Sequence, residues 1–388
     1  MPLEGKVFNL RDFVVDEVTG ENPVTVRAHY IGQVSCPHCG AARLRKKDRA
    51  LRVLHHERMG LRACNVEVSV CKYRCNGCGR YFWQRFPGLI TGRRSTEPFR
   101  KQVVREHMDG ISLSRLSGNS GISASTVERW SQDLARRLVK QDISYPCPRV
   151  LGIDEHFFTR KLGFATTFCD LEKHRIYDIA LGRSSDSLRP TMRMLEGRKH
   201  VRVVVMDMSE TYRGIARRWF PGARIVVDRF HVVKLINHHF MQLWKNVDEA
   251  GRRSRGLVSL VRRHHWHLSK EQVPRLQSYL SGFPVLQGAY ILRHRLMKLI
   301  LAKNVRKQHT VSLARRLLYL LKKMDGTPLQ KLAETLRSWL EEIIGMWRFS
   351  RTNGITEGFH TKMEMITRRA FGFRNFENYR LRVRALCA

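Results

Sequence analysis

The chain has 388 residues, 43% hydrophobic content and seven tryptophans, which suits two or three domains with real cores and excludes a disordered protein. It carries 71 Lys and Arg against 34 Asp and Glu, a formal charge of +37 that favours a polyanionic partner, since each neutralised phosphate releases counterions. No apolar stretch approaches the ~18–20 residues of a spanning helix, and Met1-Pro-Leu-Glu-Gly-Lys lacks a charged-then-apolar leader, so a soluble cytoplasmic protein with no membrane partner is expected.

Residues 1–32 read as a mixed lead-in, followed at 33–90 by a cysteine-rich module. Six of the nine cysteines fall between Cys36 and Cys78. In a basic chain without a leader, the pairs Cys36-Pro-His-Cys39-Gly and Cys75-Asn-Gly-Cys78-Gly read as metal ligands rather than disulfides. Each pair brings two thiolates to one ion, and the following glycine lets the backbone turn beneath the sulfurs. Together they predict a closed, structural, zinc-ribbon-like site. Cys64, Cys71 and His38 are rival ligands, and the 35 residues between Cys39 and Cys75 require a hairpin, to which Arg43–Arg49 and Arg52–Arg58 give basic character.

Residues 97–142 are predicted as a helix-turn-helix DNA-binding domain. In Ser112–Trp130, Leu113 and Leu116 would pack against Ile122, Val127 and Trp130, and Ser123 would cap the second helix. Ser125, Thr126 and Arg129 would then face a major groove, with an ordinary helical hairpin as the alternative. Pro146 and Pro148 mark a linker.

From residue 149 to 228 the texture changes to short apolar strands. Strands are predicted at Val150–Ile153, Gly163–Leu171, Arg175–Leu181, Val201–Met206 and Arg224–Val227, with helices at Ser187–Leu195 and Tyr212–Trp219. Three strands followed by alternating helix and strand match an α/β ribonuclease H-like core. Residues 229–350 contain no convincing strand, and within 251–325 there are 17 Lys and Arg against Glu271 and Asp325, so this block is expected to be a basic all-α insertion. His238-His239 and His264-His-Trp-His267 at helical spacing are expected to face core or phosphate rather than a metal. Residues 351–388 would return to the core as its last helix, with Lys362, Arg368 and Arg369 facing either phosphates or solvent. The aromatic run Phe371, Phe373, Phe376 and Tyr379 is expected to pack.

Three carboxylates concentrate the chemistry. Asp154 and Asp207 end buried strands and Glu357 opens the last helical stretch, an arrangement suited to two magnesium (or manganese) ions and phosphoryl transfer on nucleic acid. Singly, each has an ordinary alternative as a turn cap or a helix-dipole charge. Asp228, ending Ile225-Val-Val-Asp, is the rival to Asp207; the latter is preferred because the first and fourth strands adjoin in this core. Glu155 and Glu364 are weaker competitors.

These residues resemble the ISL-three family of bacterial insertion-sequence transposases. The likeness runs through the zinc knuckles, the helix-turn-helix, Gly152-Ile-Asp154-Glu155, Met206-Asp207-Met-Ser with Tyr212, and Asp228-Arg-Phe-His231. Its most specific part is Asn353-Gly-Ile-Thr-Glu357-Gly-Phe-His-Thr-Lys362, followed by Arg369-Ala-Phe-Gly-Phe-Arg-Asn-Phe376. The resemblance implies a D-D-E triad of Asp154, Asp207 and Glu357. It further implies hydrolytic nicking at terminal inverted repeats, transfer of the freed 3′ hydroxyls to target DNA, a dimer or larger assembly on DNA, and a bacterial, nucleoid-associated setting. The family often carries Asn at the position of His360, a difference not expected to affect metal binding. A catalytically silent DNA-binding regulator and a stand-alone metal-dependent nuclease are the alternatives from other classes.

Overall fold

The computed structural model describes residues 8–90, 92–142, 146–263, 267–302, 307–324, 327–347, 349 and 354–387. The chain divides into two compact units. One holds the residues up to Leu138 together with Ile366–Arg374; the other holds Val139–Met365 and the residues from Asn375 onward.

The first unit contains a five-stranded sheet of β1 (Phe13–Thr19), β2 (Val24–Tyr30), β3 (Leu44–Met59), β4 (Arg62–Cys75) and β5 (Tyr81–Trp83). The order is β1-β2-β4-β3, with β5 paired to β4. β2 and β4 run parallel with Val24, Val26 and Ala28 opposite Cys64, Val66 and Val68. The two-residue alternation therefore sends one apolar row from both strands into a core with Leu10, Phe13, Leu54 and Phe86. The expected hairpin between the cysteine pairs is β3–β4. The stretch read as a lead-in supplies β1 and β2 to the same sheet, so no break falls at residue 33. Its alternating apolar positions are buried against β4, which is why it cannot stand apart. Three helices follow, α1 (Glu97–Met108), α2 (Leu113–Ser120) and α3 (Ala124–Asp142).

The second unit is built on a sheet of β6 (Val150–Thr159), β7 (Gly163–Asp170), β8 (Arg175–Leu181), β9 (Val203–Met206) and β10 (Arg224–Val227), in the order β10-β9-β6-β7-β8. β6, β7 and β8 are antiparallel neighbours, while β6, β9 and β10 run parallel. β9 reads as an unbroken apolar run and all four of its residues are buried, as a strand covered on both faces requires. Helices α4 (Ser185–Met194) and α5 (Glu210–Trp219) fill the crossovers, each opened by a serine cap, Ser184 and Ser209.

After β10 the described residues are helical: α6 (Arg229–Val247), α7 (Glu249–Arg253), α8 (Arg255–Arg262), α9 (Gln272–Ser281), α10 (Pro284–Leu301), α11 (Lys307–Lys323), α12 (Thr327–Ser338) and α13 (Leu340–Gly345). α13 returns to pack on β10, and a buried ion pair fixes it, with Arg213 of α5 donating through Nε to Glu342 at 2.8 Å. The segment expected to be one last helix is two, α14 (Gly354–Arg369) and α15 (Phe376–Cys387), and its Ile366–Arg374 portion groups with the first unit. Gly372 at φ 91° and Phe371 at φ 54° break the helical run between them. Phe376 and Tyr379 pack on Phe158 as expected, but Phe371 is 83% exposed and does not.

Candidate functional site

Sheet register brings the aspartates together. β6 and β9 pair with Gly152 opposite Val205, so Asp154 and Asp207 lie at the same level two residues on. β9 and β10 pair with Met206 opposite Val227, and Asp228 donates its N–H to the Met206 carbonyl at 2.7 Å, which sets Asp228 level with Asp207. Three adjacent parallel strands thus carry three level aspartates, Asp154 within β6 and Asp207 and Asp228 just past β9 and β10, about 4.8 Å apart from strand to strand and on one side of the sheet. Asp154 is 5% exposed and Asp228 1%.

The electrostatics record the crowding. Burial pushes the Asp154 carboxyl up to about 7, reinforced by Asp207, Asp228 and Glu357. Burial also raises Asp207, opposed by the nearby His231. Asp154 Oδ1 accepts the Glu155 N–H at 2.9 Å, whereas buried Asp207 Oδ1 has no hydrogen-bond partner among the described residues. Oxygen donors crowded in this way suit a divalent cation, whose charge would draw all of them back to the ionised form.

Glu357 enters from the first turn of α14. Its carboxylate, that of Asp228 and the His231 imidazole offer ligand atoms that all lie within 4.8 Å of one another. The expected trio of Asp154, Asp207 and Glu357 shares this neighbourhood but does not meet that spacing. Of the competitors, Glu155 pairs with Arg183 at 3.3 Å while still raising Asp207, and Glu364 is exposed.

A network that sequence reasoning did not foresee supports Asp154. Thr167 lies opposite Asp154 in the β6–β7 ladder. Its hydroxyl meets His156 Nδ1 at 2.9 Å and His360 Nε2 at 3.3 Å, and His360 Nδ1 is 3.9 Å from Asp154 Oδ2. Tyr379 OH closes the chain on His156 Nε2 at 2.9 Å. Burial drives both imidazoles down, His156 to about 3 and His360 to about 4, so both are neutral at pH 7. The signal was in the spacing: His156 is two residues from Asp154 on one strand face, and His360 one turn from Glu357 on one helix face.

A model of the DDE transposase family of the ISL3 type matches residues 151–383. The chain belongs to the ISL3 transposase family. It is also similar to the transposase for insertion sequence element IS1001 of Bordetella parapertussis, 26% identical over 247 residues that span 61% of this chain. The chain covers 60% of that relative's length, so the likeness stops short of the whole protein.

Outside the matched residues, this ISL3-family chain gathers Cys36, Cys39, Cys75 and Cys78 into one cluster. Sγ of Cys36 and Cys78 lie 3.7 Å apart, and those of Cys39 and Cys75 lie 3.5 Å apart. Four thiolates around a zinc ion with bonds of ~2.3 Å stand about 3.8 Å from one another, so the cluster fits a tetrahedral site. The backbone N–H groups of Cys78 and Gly77 donate to Cys75 Sγ at 3.5 and 3.3 Å. These bonds, with Cys78 foremost, bring the Cys75 thiol down to about 6 and favour the ligating thiolate. Gly40 and Gly79 at φ 76° and 72° make the turns under the sulfurs. The rivals fall away: Cys64 is buried in the sheet core, and His38 contacts Arg80.

The two helices α2 and α3 meet through Gly121 at φ 66°, and Leu113, Leu116, Ile122, Val127 and Trp130 share one apolar cluster with Phe99 and Val103. Ser123 Oγ accepts the Thr126 N–H at 3.3 Å, as expected of a cap. Ser125 and Arg129 are exposed and Thr126 is half-buried.

Along α6 runs a cavity of about 750 Å³ with Phe230, Lys234, His238, Lys245 and Arg252 in its lining. Among the described lining residues the acidic group is Glu249, held by Arg253 at 2.8 Å. Arg293 is buried in the wall and spent on Asn237 and the carbonyls of Val261 and Arg262. His238 therefore faces this basic cavity, and His239 is half-buried. His264 and His265 of the other histidine run lie outside the described residues, and so does Asn353. Lys362 donates to the Leu386 carbonyl at 2.5 Å and so ties α14 to α15, while Arg368 and Arg369 are exposed.

Proposed function

We propose that this chain is a metal-dependent DNA transposase that binds the ends of its insertion sequence, nicks them to free 3′ hydroxyls and transfers those hydroxyls to target DNA. The observation that carries the reading is the level row of Asp154, Asp207 and Asp228 across three adjacent parallel strands, with Glu357 brought to it by α14. An antiparallel trio continued by two parallel strands, in the order found here, supports a ribonuclease H-like core interrupted by the helical block between β10 and α14.

Asp154, Asp207 and Glu357 would hold divalent magnesium or manganese, with Asp228 beside them. Bound cations supply charge that polarises the scissile phosphate and lowers the pKa of the attacking hydroxyl. The chain's own groups do the rest. The Thr167–His360 contact holds the Glu357 helix against the Asp154 strand, and neutral imidazoles around Asp154 leave its carboxylate for the cation rather than neutralising it. In the first step a water oxygen attacks phosphorus and the 3′ oxygen leaves. In the second that 3′ oxygen attacks a target phosphodiester, so each bond made replaces one broken and no protein–DNA covalent bond forms.

The four-cysteine zinc module and the helix-turn-helix would read the terminal repeats, with Ser125, Thr126 and Arg129 in the major groove. The basic cavity along α6 and the exposed Arg368 and Arg369 would add phosphate contacts, with Lys362 alongside. Two ends must be cut together, so a dimer or larger assembly on DNA follows.

The test uses labelled DNA ends flanking the gene, with magnesium or manganese, and compares wild type with Asp154→Ala, Asp207→Ala, Asp228→Ala and Glu357→Ala. Metal-dependent nicking and joining, lost in Asp154→Ala and Glu357→Ala, is the expected result. The two remaining variants decide which aspartate completes the triad. Cutting without joining would turn the reading into a nuclease, and tight repeat-specific binding without cleavage into a regulator.

A further inference from the structure

One donor group beside the sheet of the second unit has mixed chemistry. Asp228, His231 and Glu357 offer two carboxylates and one imidazole, all within 4.8 Å of one another. Around an ion with bonds of ~2.1 Å, octahedral ligand atoms lie about 3 Å apart as neighbours and about 4.2 Å apart across the ion. The trio is therefore within a small side-chain adjustment of enclosing a cation.

Each donor is set by a separate constraint. Asp228 follows β10, where its N–H continues the parallel ladder to Met206. It is also the N-cap of α6, yet its carboxylate makes no capping hydrogen bond to the helix. Instead its Oδ2 lies 3.8 Å from His231 Nε2, the ring standing in the first turn of α6. Glu357 arrives from the first turn of α14 after the whole helical block. Two segments far apart in sequence, the start of α6 and the start of α14, thus converge on one point, a placement that packing of either element alone does not require.

We propose that Asp228, His231 and Glu357 form a cation site selective for manganese, or a similar transition ion, over magnesium. Magnesium is held by oxygen donors and parts reluctantly with its water, whereas an imidazole nitrogen favours a transition metal. The Asp154 and Asp207 carboxylates offer oxygen alone; His231 gives this locus its nitrogen. The site serves the transposase reading, but its occupancy does not depend on DNA, so the two fail separately.

The test is manganese binding to the full chain, free of other added divalent ions and of DNA, read by electron paramagnetic resonance with magnesium as competitor. Wild type should give a nitrogen hyperfine coupling from a directly bound imidazole and prefer manganese at least tenfold. His231→Ala should lose the coupling and at least tenfold in manganese affinity, with magnesium affinity changed less than about twofold. His231→Asp, an all-oxygen set, should keep binding but narrow the manganese preference. A wild-type spectrum without nitrogen coupling overturns the site whether or not the variants fold, and so does a coupling that survives in His231→Ala. Unchanged manganese binding in protein that never cleaves DNA would sink the transposase reading and leave the cation site standing.

Discussion

Asp154→Asn is expected to make the protein more stable and inactive. The Asp154 carboxyl is held at about 7 in the fold, against an ordinary value of 3.8, chiefly by burial. At 1.36 kcal/mol for each tenfold change in proton affinity, that difference is about 4 kcal/mol. The sign follows from linkage. A group whose pKa is raised by folding supports the fold fully below its unfolded value and loses that support as pH rises through the folded one. Wild type should therefore weaken between about pH 4 and 7. An amide carries no charge, keeps the acceptor for the Glu155 N–H and is free of the penalty. Chemical denaturation without divalent cations should find the variant more stable by about 2–4 kcal/mol at pH 8, and nearly equal to wild type at pH 4. Adding manganese should raise wild type and narrow the gap. Equal stability at pH 8, or a gap that does not change with pH, would refute the idea that the site carries an uncompensated charge.

Three further outcomes follow from other contacts. Glu342→Ala removes a buried carboxylate from Arg213, which keeps Glu210 and the Ser338 carbonyl, and should cost about 1.5–3 kcal/mol in urea denaturation. Cys75→Ser should lower bound zinc from one ion per chain to none by atomic absorption and open the hairpin β3–β4 to proteolysis; full retention of zinc would show that another ligand set holds it. Arg129→Ala should weaken binding to the terminal repeat by about 1–3 kcal/mol while sparing random duplex, in a gel-shift comparison at fixed salt. Equal losses on both DNAs would make Arg129 a phosphate contact instead.

Much of the second unit was legible because its signals are local. The runs Val150–Ile153, Val201–Met206 and Arg224–Val227 are short, apolar and followed by aspartate; the last two end at Met206 and Val227 as expected, while β6 continues through Asp154 to Thr159. The Cys-x-x-Cys pairs and the Leu113–Trp130 pattern announced their packing in the same way. What escaped was set by long-range pairing. Nothing in Phe13–Thr19 or Val24–Tyr30 says that they join the cysteine hairpin's sheet, because that depends on a parallel register with β4. His231 and His360 were quoted in motifs without a role, since their place beside Asp228 and Asp154 appears only when α6 and α14 are brought to the sheet.

The strongest physical argument for a cation at the site is how differently the chain treats its other buried acids. Asp178 accepts two bonds from Arg380, both at 2.7 Å, and Glu342 is held by Arg213. In a chain with 71 Lys and Arg, a guanidinium was available for every carboxylate the fold needed to neutralise. Yet Asp154 meets an imidazole, His360, at 3.9 Å, and burial keeps that ring uncharged. An arginine in that position would have stabilised the fold and occupied the donors. The neutral His360 ring does neither, which leaves the Asp154 carboxyl for a ligand that binds beside it. The sheet register concentrates these carboxyl groups, and the ion pairs Arg213–Glu342 and Arg380–Asp178 hold α13 and α15 in place around them.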